Sequence, residues 1–513
     1  MLNLSENSVK RAADRPATTG APRPAELFLS ITPPVSWANS RRAFTRQAVR
    51  SAGYNLNSKK IQTPFPSLCP RMKRLLRSCL VLLVVHAAAQ AVAADISTPS
   101  NSPSPVTAVE CRPRGGLPNF FAKAEAGGDV RVAYLGGSIT AAPGWRVFSL
   151  DRLKKEFPKA RFSEISAAIG GTGSDLGAFR VGHDVIAHKP DLVFVEFAVN
   201  DAGAPPDQIL ATMEGIVRQI LRADAATDIC FVYTVSEPLL ADLAKGVFPR
   251  AASTMEAVAD HYAIPSVHYG VEVNRRIADG SLVFKGEKPE KLDAAATPLL
   301  FSTDGVHPHV ETGHRLYADV LARSLATIQA AGTTAAPHRL PEPLRADNWE
   351  KAKLIPIEQS MLRGDWKRVT QADDERAKSF AARMPVLWKA EKPGAELVVA
   401  FTGTRLAVYD LLGPGGGMVS VQVDDAAAKN VPRIDGYSTS WRIATLSTGN
   451  QPAGPHRVTI RLEASAPDKA KILFEHNRPD LEKNPAKYAE NAWYASAILL
   501  LGDLLPADAN PAK

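Results

Sequence analysis

From Arg131 to Ala330 the chain alternates nearly continuous apolar strands with helical stretches, and that alternation admits few folds. Arg131–Leu135, Asp191–Phe197, Ile229–Val235 and Ile264–His268 read as strands, with Phe162–Ser166 the weakest of the series. Leu192-Val193-Phe194-Val195 contains no polar residue. Trp145–Glu156, Asp207–Ala223 and Met255–Tyr262 lie between strands as helices, and Thr312–Ala330 follows with apolar residues at helical spacing. A strand that is apolar on both sides must be covered on both faces, so the pattern predicts a parallel sheet between two helical layers, an α/β/α sandwich. In such sheets functional residues gather at the carboxyl ends of the strands.

Near residue 333 the pattern changes. Thr333–Pro343 is rich in Pro, Ala and Thr and reads as the start of a linker, taken here as 334–349. Beyond it Glu396–Phe401, Arg405–Tyr409, Val419–Val423, Arg442–Leu446 and Arg457–Leu462 alternate apolar with polar, and Gly413-Pro414-Gly415-Gly416-Gly417 marks a turn. Short alternating strands with turn signals predict a β-sandwich over 350–513, with Trp493–Leu501 as its closing strand.

The amino-terminal part has a different character. Met72 is followed by Lys73, Arg74 and Arg77, then by the apolar run from Leu80 through Val85 and a series of alanines ending in Ala91-Val92-Ala93. A positive segment, a short apolar segment and an A-x-A site in that order make a secretory signal peptide over 72–94. The run is too short and alanine-rich for a membrane span. Residues 1–71 lack apolar periodicity, and translation is expected to begin at Met72. Two decoys are set aside: no apolar run follows Arg41-Arg42, and Cys79 precedes its apolar run. The Ser/Pro-rich residues 95–115 read as a linker.

This organisation decides what the charge means. The full chain carries 61 Lys and Arg against 53 Asp and Glu, a net of +8. Residues 1–71 alone carry +8, and from Asp95 onward 47 basic residues face 50 acidic ones, a net of −3. The excess of positive charge lies outside the expected mature protein, which removes the argument for a nucleic-acid partner. Export predicts a secreted or periplasmic protein with no stable membrane insertion after signal cleavage. Cys111 and Cys230 would survive cleavage; the compartment permits a disulfide, but Cys230 lies in an apolar strand and reads as a small buried hydrophobe.

Four short motifs fall in order along the first domain: Gly136-Gly137-Ser138-Ile139-Thr140, Gly170-Gly171-Thr172-Gly173, Glu196-Phe197-Ala198-Val199-Asn200-Asp201 and Asp304-Gly305-Val306-His307-Pro308. The first three follow successive strands and the last precedes the final helix. Ser138 is a candidate nucleophile, His307 its base, and Asp304 the acceptor that would hold the imidazole tautomer. The backbone N–H groups of Ser138 and Gly171 and the Asn200 amide are candidate donors to an oxyanion. Each motif alone also suits an ordinary cap or turn; the ordered set does not. His309 and His314 keep a metal reading open, but their spacing matches no familiar zinc pattern, and the expectation is no metal and no cofactor.

The set resembles the SGNH, or GDSL, hydrolases, whose blocks carry Ser, Gly, Asn and His with an Asp three residues before the His. Ser138, Gly171, Asn200, Asp304 and His307 occupy those places, with Gly137 where Asp is usual and Ala198 where Gly is usual. The resemblance spans about 128–331 and implies a flavodoxin-like α/β/α domain (here 116–333) and metal-free ester hydrolysis through an acyl-serine. The region after 350 resembles the accessory β-sandwich beside carbohydrate-esterase members. A small-molecule or polysaccharide ester, above all an O-acetyl ester, is the expected substrate. Lipid or aryl ester hydrolysis, acetyl transfer between sugars and non-catalytic carbohydrate binding are the alternatives.

Overall fold

The computed structural model describes residues 106–332 and 334–506; the expected signal peptide lies outside them. The first part is built on a six-stranded sheet. Its strands are β1 (Cys111–Arg112), β2 (Asp129–Gly136), β3 (Arg161–Ala168), β4 (Leu192–Glu196), β5 (Asp228–Tyr233) and β6 (Ser266–His268). Their order is β1-β6-β5-β4-β2-β3; β2 to β6 run parallel and β1 pairs antiparallel at one edge. The parallel strands thus follow the 2-1-3-4-5 order of flavodoxin-like sheets, whose topological switch point opens a crevice at the carboxyl ends of two neighbours, here β2 and β4.

Burial follows position. Every residue of β4 and β5 is buried, while β3 is mostly solvated until Ala167. An edge strand is covered less, which is why Phe162–Ser166 carries the weakest sequence signal. The helices are α1 (Pro118–Glu125), α2 (Ser138–Ala141), α3 (Trp145–Glu156), α4 (Ser174–Asp184), α5 (Pro206–Ala223), α6 (Leu240–Leu243), α7 (Arg250–His261), α8 (Tyr269–Ala278) and α9 (Gly313–Ala330). α4, α5 and α7 pack in one group and α3, α8 and α9 in another. A small parallel pair, β7 (Leu282–Lys285) and β8 (Leu299–Ser302), leads into the segment holding His307.

Residues 106–115, whose composition reads as linker, are built onto this domain. β1 pairs with β6, and the buried Glu256 carboxylate receives Arg112 Nε at 3.1 Å and Arg114 Nη2 at 2.6 Å. Cys111 and Cys230 are both unpaired, and Cys230 is fully buried.

The second part is antiparallel. Its strands are β9 (Ala352–Pro356), β10 (Leu362–Arg363), β11 (Trp366–Val369), β12 (Leu387–Ala390), β13 (Glu396–Leu412), β14 (Met418–Val423), β15 (Lys429–Pro432), β16 (Arg442–Leu462) and β17 (Trp493–Leu504), joined in one hydrogen-bonded network. Two differences from the sequence reading share one cause. The segments Glu396–Phe401 and Arg405–Tyr409 are a single strand, as are Arg442–Leu446 and Arg457–Leu462, because the chain bends through bulges instead of turning back. At the bend Gly403 pairs with both Gly454 and Gly502. A Cβ on Gly403 would stand 2.2 Å from the Leu501 carbonyl oxygen, and one on Gly502 2.0 Å from that of Thr402.

The bulge also switches the face of β13. Before it Leu397, Val399 and Phe401 point into the β-sandwich core; after it Leu406 and Val408 do. The freed face, Ala407, Tyr409 and Leu411, joins Tyr494, Ala497 and Leu499 in the core of the α/β domain. Between the two parts, residues 334–349 are anchored on α5, β5 and α4: Glu214 Oε2 accepts from the Arg345 backbone at 2.9 Å, His338 meets Asp228 at 2.6 Å, and Trp349 packs on Phe179 with ring centroids 5.2 Å apart.

Candidate active site

β2 ends at Gly136 in register with Glu196 of β4 and Ala168 of β3. The segments that follow these three residues therefore emerge side by side at the switch point. Ser138, Asn200 and Gly171 lie two, four and three residues beyond the aligned positions. Ser138 opens α2 and is half-buried. Gly137 must be glycine in this conformation: a Cβ there would stand 2.0 Å from Asn200 Oδ1. That close approach sets the Asn200 side chain against the backbone that carries Ser138.

Ser138 Oγ lies 2.8 Å from His307 Nε2, and His307 Nδ1 lies 2.6 Å from Asp304 Oδ2. The other oxygen, Asp304 Oδ1, accepts from the Val306 and His307 backbone N–H groups at 2.8 Å each and from Ser302 Oγ at 3.0 Å. Burial alone would raise the Asp304 pKa, but the His307 ring and these backbone donors outweigh it and hold the group well below the usual carboxylate range. An ionised Asp304 accepts from Nδ1–H, which leaves Nε2 free to accept from the serine.

The turn is pinned by its surroundings. Ser302 bridges to Pro308, the His309 N–H donates to the Phe301 carbonyl at 2.8 Å, and Glu237 N–H donates to the Gly305 carbonyl at 2.8 Å. His309 Nε2 meets Thr303 Oγ1 at 3.0 Å. His314 is buried, and its Nδ1 accepts from the Trp145 backbone at 3.2 Å. Both rings that left a metal reading open are thus engaged elsewhere; among the described residues no three His, Cys, Asp or Glu side chains converge as a ligand set.

Gly171 has φ +73°, is exposed, and has open space where a side chain would project. The structure therefore brings Ser138, His307 and Asp304 into one hydrogen-bonded relay, sets Asn200 against Gly137 and places Gly171 on the same edge. Sequence reasoning passed over the groups beneath. Glu196 is buried and accepts from Thr140 Oγ1 at 2.9 Å and Thr234 Oγ1 at 2.7 Å, and burial raises its pKa. Arg180 is fully buried, paired with Asp184 at 2.9 Å, and bonded to the Ala167 carbonyl and, at 3.3 Å, to that of Gly136. The available signal was charge inside apolar runs: Glu196 ends an otherwise apolar strand.

A relay of this kind on a flavodoxin-like sheet meets its counterpart in the family comparison: residues 134–316 match the GDSL-like lipase/acylhydrolase family. This segment is a GDSL-like lipase/acylhydrolase domain. The chain is accordingly a carboxylic ester hydrolase. Among solved structures, the chain is similar to a two-domain esterase active on acetylated mannans, at 21% identity over 77% of this chain and 97% of that one, with a TM-score of 0.58. The same esterase co-crystallised with mannopentaose gives 0.56. An acetylxylan esterase from Geobacillus stearothermophilus is similar over 39% of this chain and 96% of its own, at 19% identity and a TM-score of 0.30. The comparison with curated proteins gives no match. No helix among the described residues is long and apolar enough to cross a membrane.

Proposed function

We propose that this chain is an exported serine esterase that removes O-acyl groups, chiefly O-acetyl, from carbohydrate. The observation that carries the reading is the Ser138–His307–Asp304 relay. Ser138 Oγ attacks the ester carbonyl carbon while His307 Nε2 takes its proton. The oxyanion so formed is met by the Ser138 and Gly171 N–H groups and the Asn200 amide. The bond to the alcohol oxygen then breaks, and that oxygen leaves with the proton from His307. A water adds to the acyl-serine, giving its proton to His307; the carboxylic acid departs and the proton returns to Ser138. No step needs a cofactor.

The carbohydrate assignment is supported by likeness, along nearly the whole of its length, to a two-domain esterase acting on acetylated mannans. Export is supported by the charged, apolar and A-x-A order of residues 72–94. The test is acetate release from acetylated mannan, acetylated xylan and an aryl acetate by the wild type and by Ser138→Ala. Ser138→Ala is expected to fold and to lose several orders of magnitude in kcat, with His307→Ala alike and the double variant little worse, because such groups act as a unit. Near-wild-type turnover in folded Ser138→Ala overturns the mechanism. Release from the aryl ester alone overturns the carbohydrate assignment. A mature protein beginning near Asp95, read by intact mass, is expected of export; one retaining residues 1–71 refutes it.

A further inference from the structure

The two loops that carry Gly171 and Asn200 are far apart in sequence, and one side chain joins them. Asp201 follows Asn200 in the turn after β4, where its N–H donates to the Phe197 carbonyl at 2.8 Å and its carbonyl accepts from Ala204 at 2.9 Å. Its side chain is buried and crosses to the other loop, where Oδ1 accepts from the Ser174 backbone N–H at 3.0 Å. Ser174 is the first residue of α4, three positions after Gly171. The contact is close enough that a Cβ on Gly173 would stand 2.4 Å from Oδ1. The second oxygen, Oδ2, is buried with no hydrogen-bond partner among the described residues. Burying a carboxylate with one oxygen unpaired costs free energy. The bond to the Ser174 N–H is what the buried carboxyl group makes in return.

We propose that Asp201 is a positioning residue for ester hydrolysis, the tie that holds the Gly171 loop and the Asn200 loop at the spacing an oxyanion requires. This rests on the reading that Gly171 and Asn200 are oxyanion donors. Asp201 touches no reacting atom; it acts through the two donors. Losing the tie leaves both donors in place chemically but lets their separation drift, which weakens transition-state contacts more than ground-state ones.

The experiment compares Asp201→Ala, Asp201→Asn, Ser174→Pro and Asn200→Ala in the full chain. Asparagine keeps an oxygen that can accept from Ser174. Proline at the first helical position removes the Ser174 N–H while tolerating the helix, and Gly173, with φ −96° and ψ −175°, already has the extended backbone that precedes proline; the substitution also removes the 2.6 Å Ser174 Oγ–Thr212 Oγ1 bond, which Ser174→Ala removes alone as its control. The readouts are kcat and KM on an aryl acetate and affinity for a boronic acid that mimics the tetrahedral oxyanion. Asp201→Ala and Ser174→Pro are expected to lose about 10²-fold in kcat, the lower end of what one donor supplies. KM should stay within a few-fold, boronate binding should weaken in parallel, and Asp201→Asn should recover most of the loss. Adding Asp201→Ala to Asn200→Ala should cost little more. If Asp201→Ala does not fold, Ser174→Pro alone decides. Unchanged kcat and boronate affinity in folded Asp201→Ala or Ser174→Pro, while Asn200→Ala is impaired, overturn the tie and leave the donors standing. Unchanged kcat in Asn200→Ala overturns the donor reading and the tie with it.

Discussion

At the scale of single residues, the site depends on exclusions as much as on contacts. Gly137 matters because nothing else fits: its missing side chain is the space the Asn200 amide occupies. Gly137→Ala should push Asn200 out of place and lower kcat in the same sense as Asn200→Ala, for which about 10²–10³ in kcat is expected with a smaller change in KM. A loss confined to KM in either variant would assign Asn200 to ground-state binding. His314 makes a different prediction. Burial, and secondarily the neighbouring His307, push its pKa down to about 3 from 6.5, and burial does the same to His268. Between those values the unfolded chain binds protons that the folded one does not, so stability falls as pH falls from 6.5 toward 3. Asp201, pushed up to about 7 by burial, works in the opposite sense, taking up its proton in the folded state first. Denaturant unfolding of His314→Gln and wild type across this range should show a flatter acid loss in the variant. Equal slopes would mean His314 is not held neutral.

Among elements, the long strands of the second part are the least tolerant. β13 and β16 cross their bend without turning back, and the paired glycines let three backbones come together there. Gly403→Ala and Gly502→Ala each place a methyl within 2.2 Å of a carbonyl oxygen on the partner strand. Such overpacking should cost about 1–3 kcal/mol or more of stability, read as a lower thermal midpoint. Wild-type midpoints in both would show that the bend relaxes freely. The elements of the α/β domain were legible because their patterns were pure: β4 and β5 are buried on every side, and Trp145–Glu156 was read with its observed bounds. The continuity of β13 and β16 was not legible, because a glycine inside an alternating run, such as Gly403 or Gly454, suits a turn and a bulge alike.

In the molecule as a whole, the β-sandwich is part of the hydrolase domain's interior. Tyr409, Leu411, Tyr494 and Leu499 are buried in the same cluster as the parallel sheet. Arg383, from the loop before β12, donates to the Ser166 carbonyl on the open edge of β3 and lies 4.0 Å from Asp184, the partner of Arg180. A chain ending at residue 333 would expose the apolar face these groups cover. It should aggregate or bind a hydrophobic dye, and it should lose turnover even on an aryl acetate too small to reach a second domain. A soluble truncated form with full aryl esterase activity would show the two parts to be independent.

Much of this protein is contained in local pattern. The run of apolar strands dictates a covered parallel sheet, and the spacing from Asp304 to His307 already sets a carboxylate and an imidazole in one turn, because only two residues separate them. Residue types and their order named Ser138, Gly171 and Asn200 as well. What the tertiary structure alone decided is everything that depends on contact between distant segments. It put the Ser138 hydroxyl 2.8 Å from an imidazole 169 residues away. It turned Asp201 and Glu196, ordinary acids in the sequence, into buried groups beneath the site, and drew the second part's sheet into the first part's core. Periodicity records which face a residue turns inward, since that is a property of its own backbone. It cannot record what is met there, because that is a property of another segment's position in space.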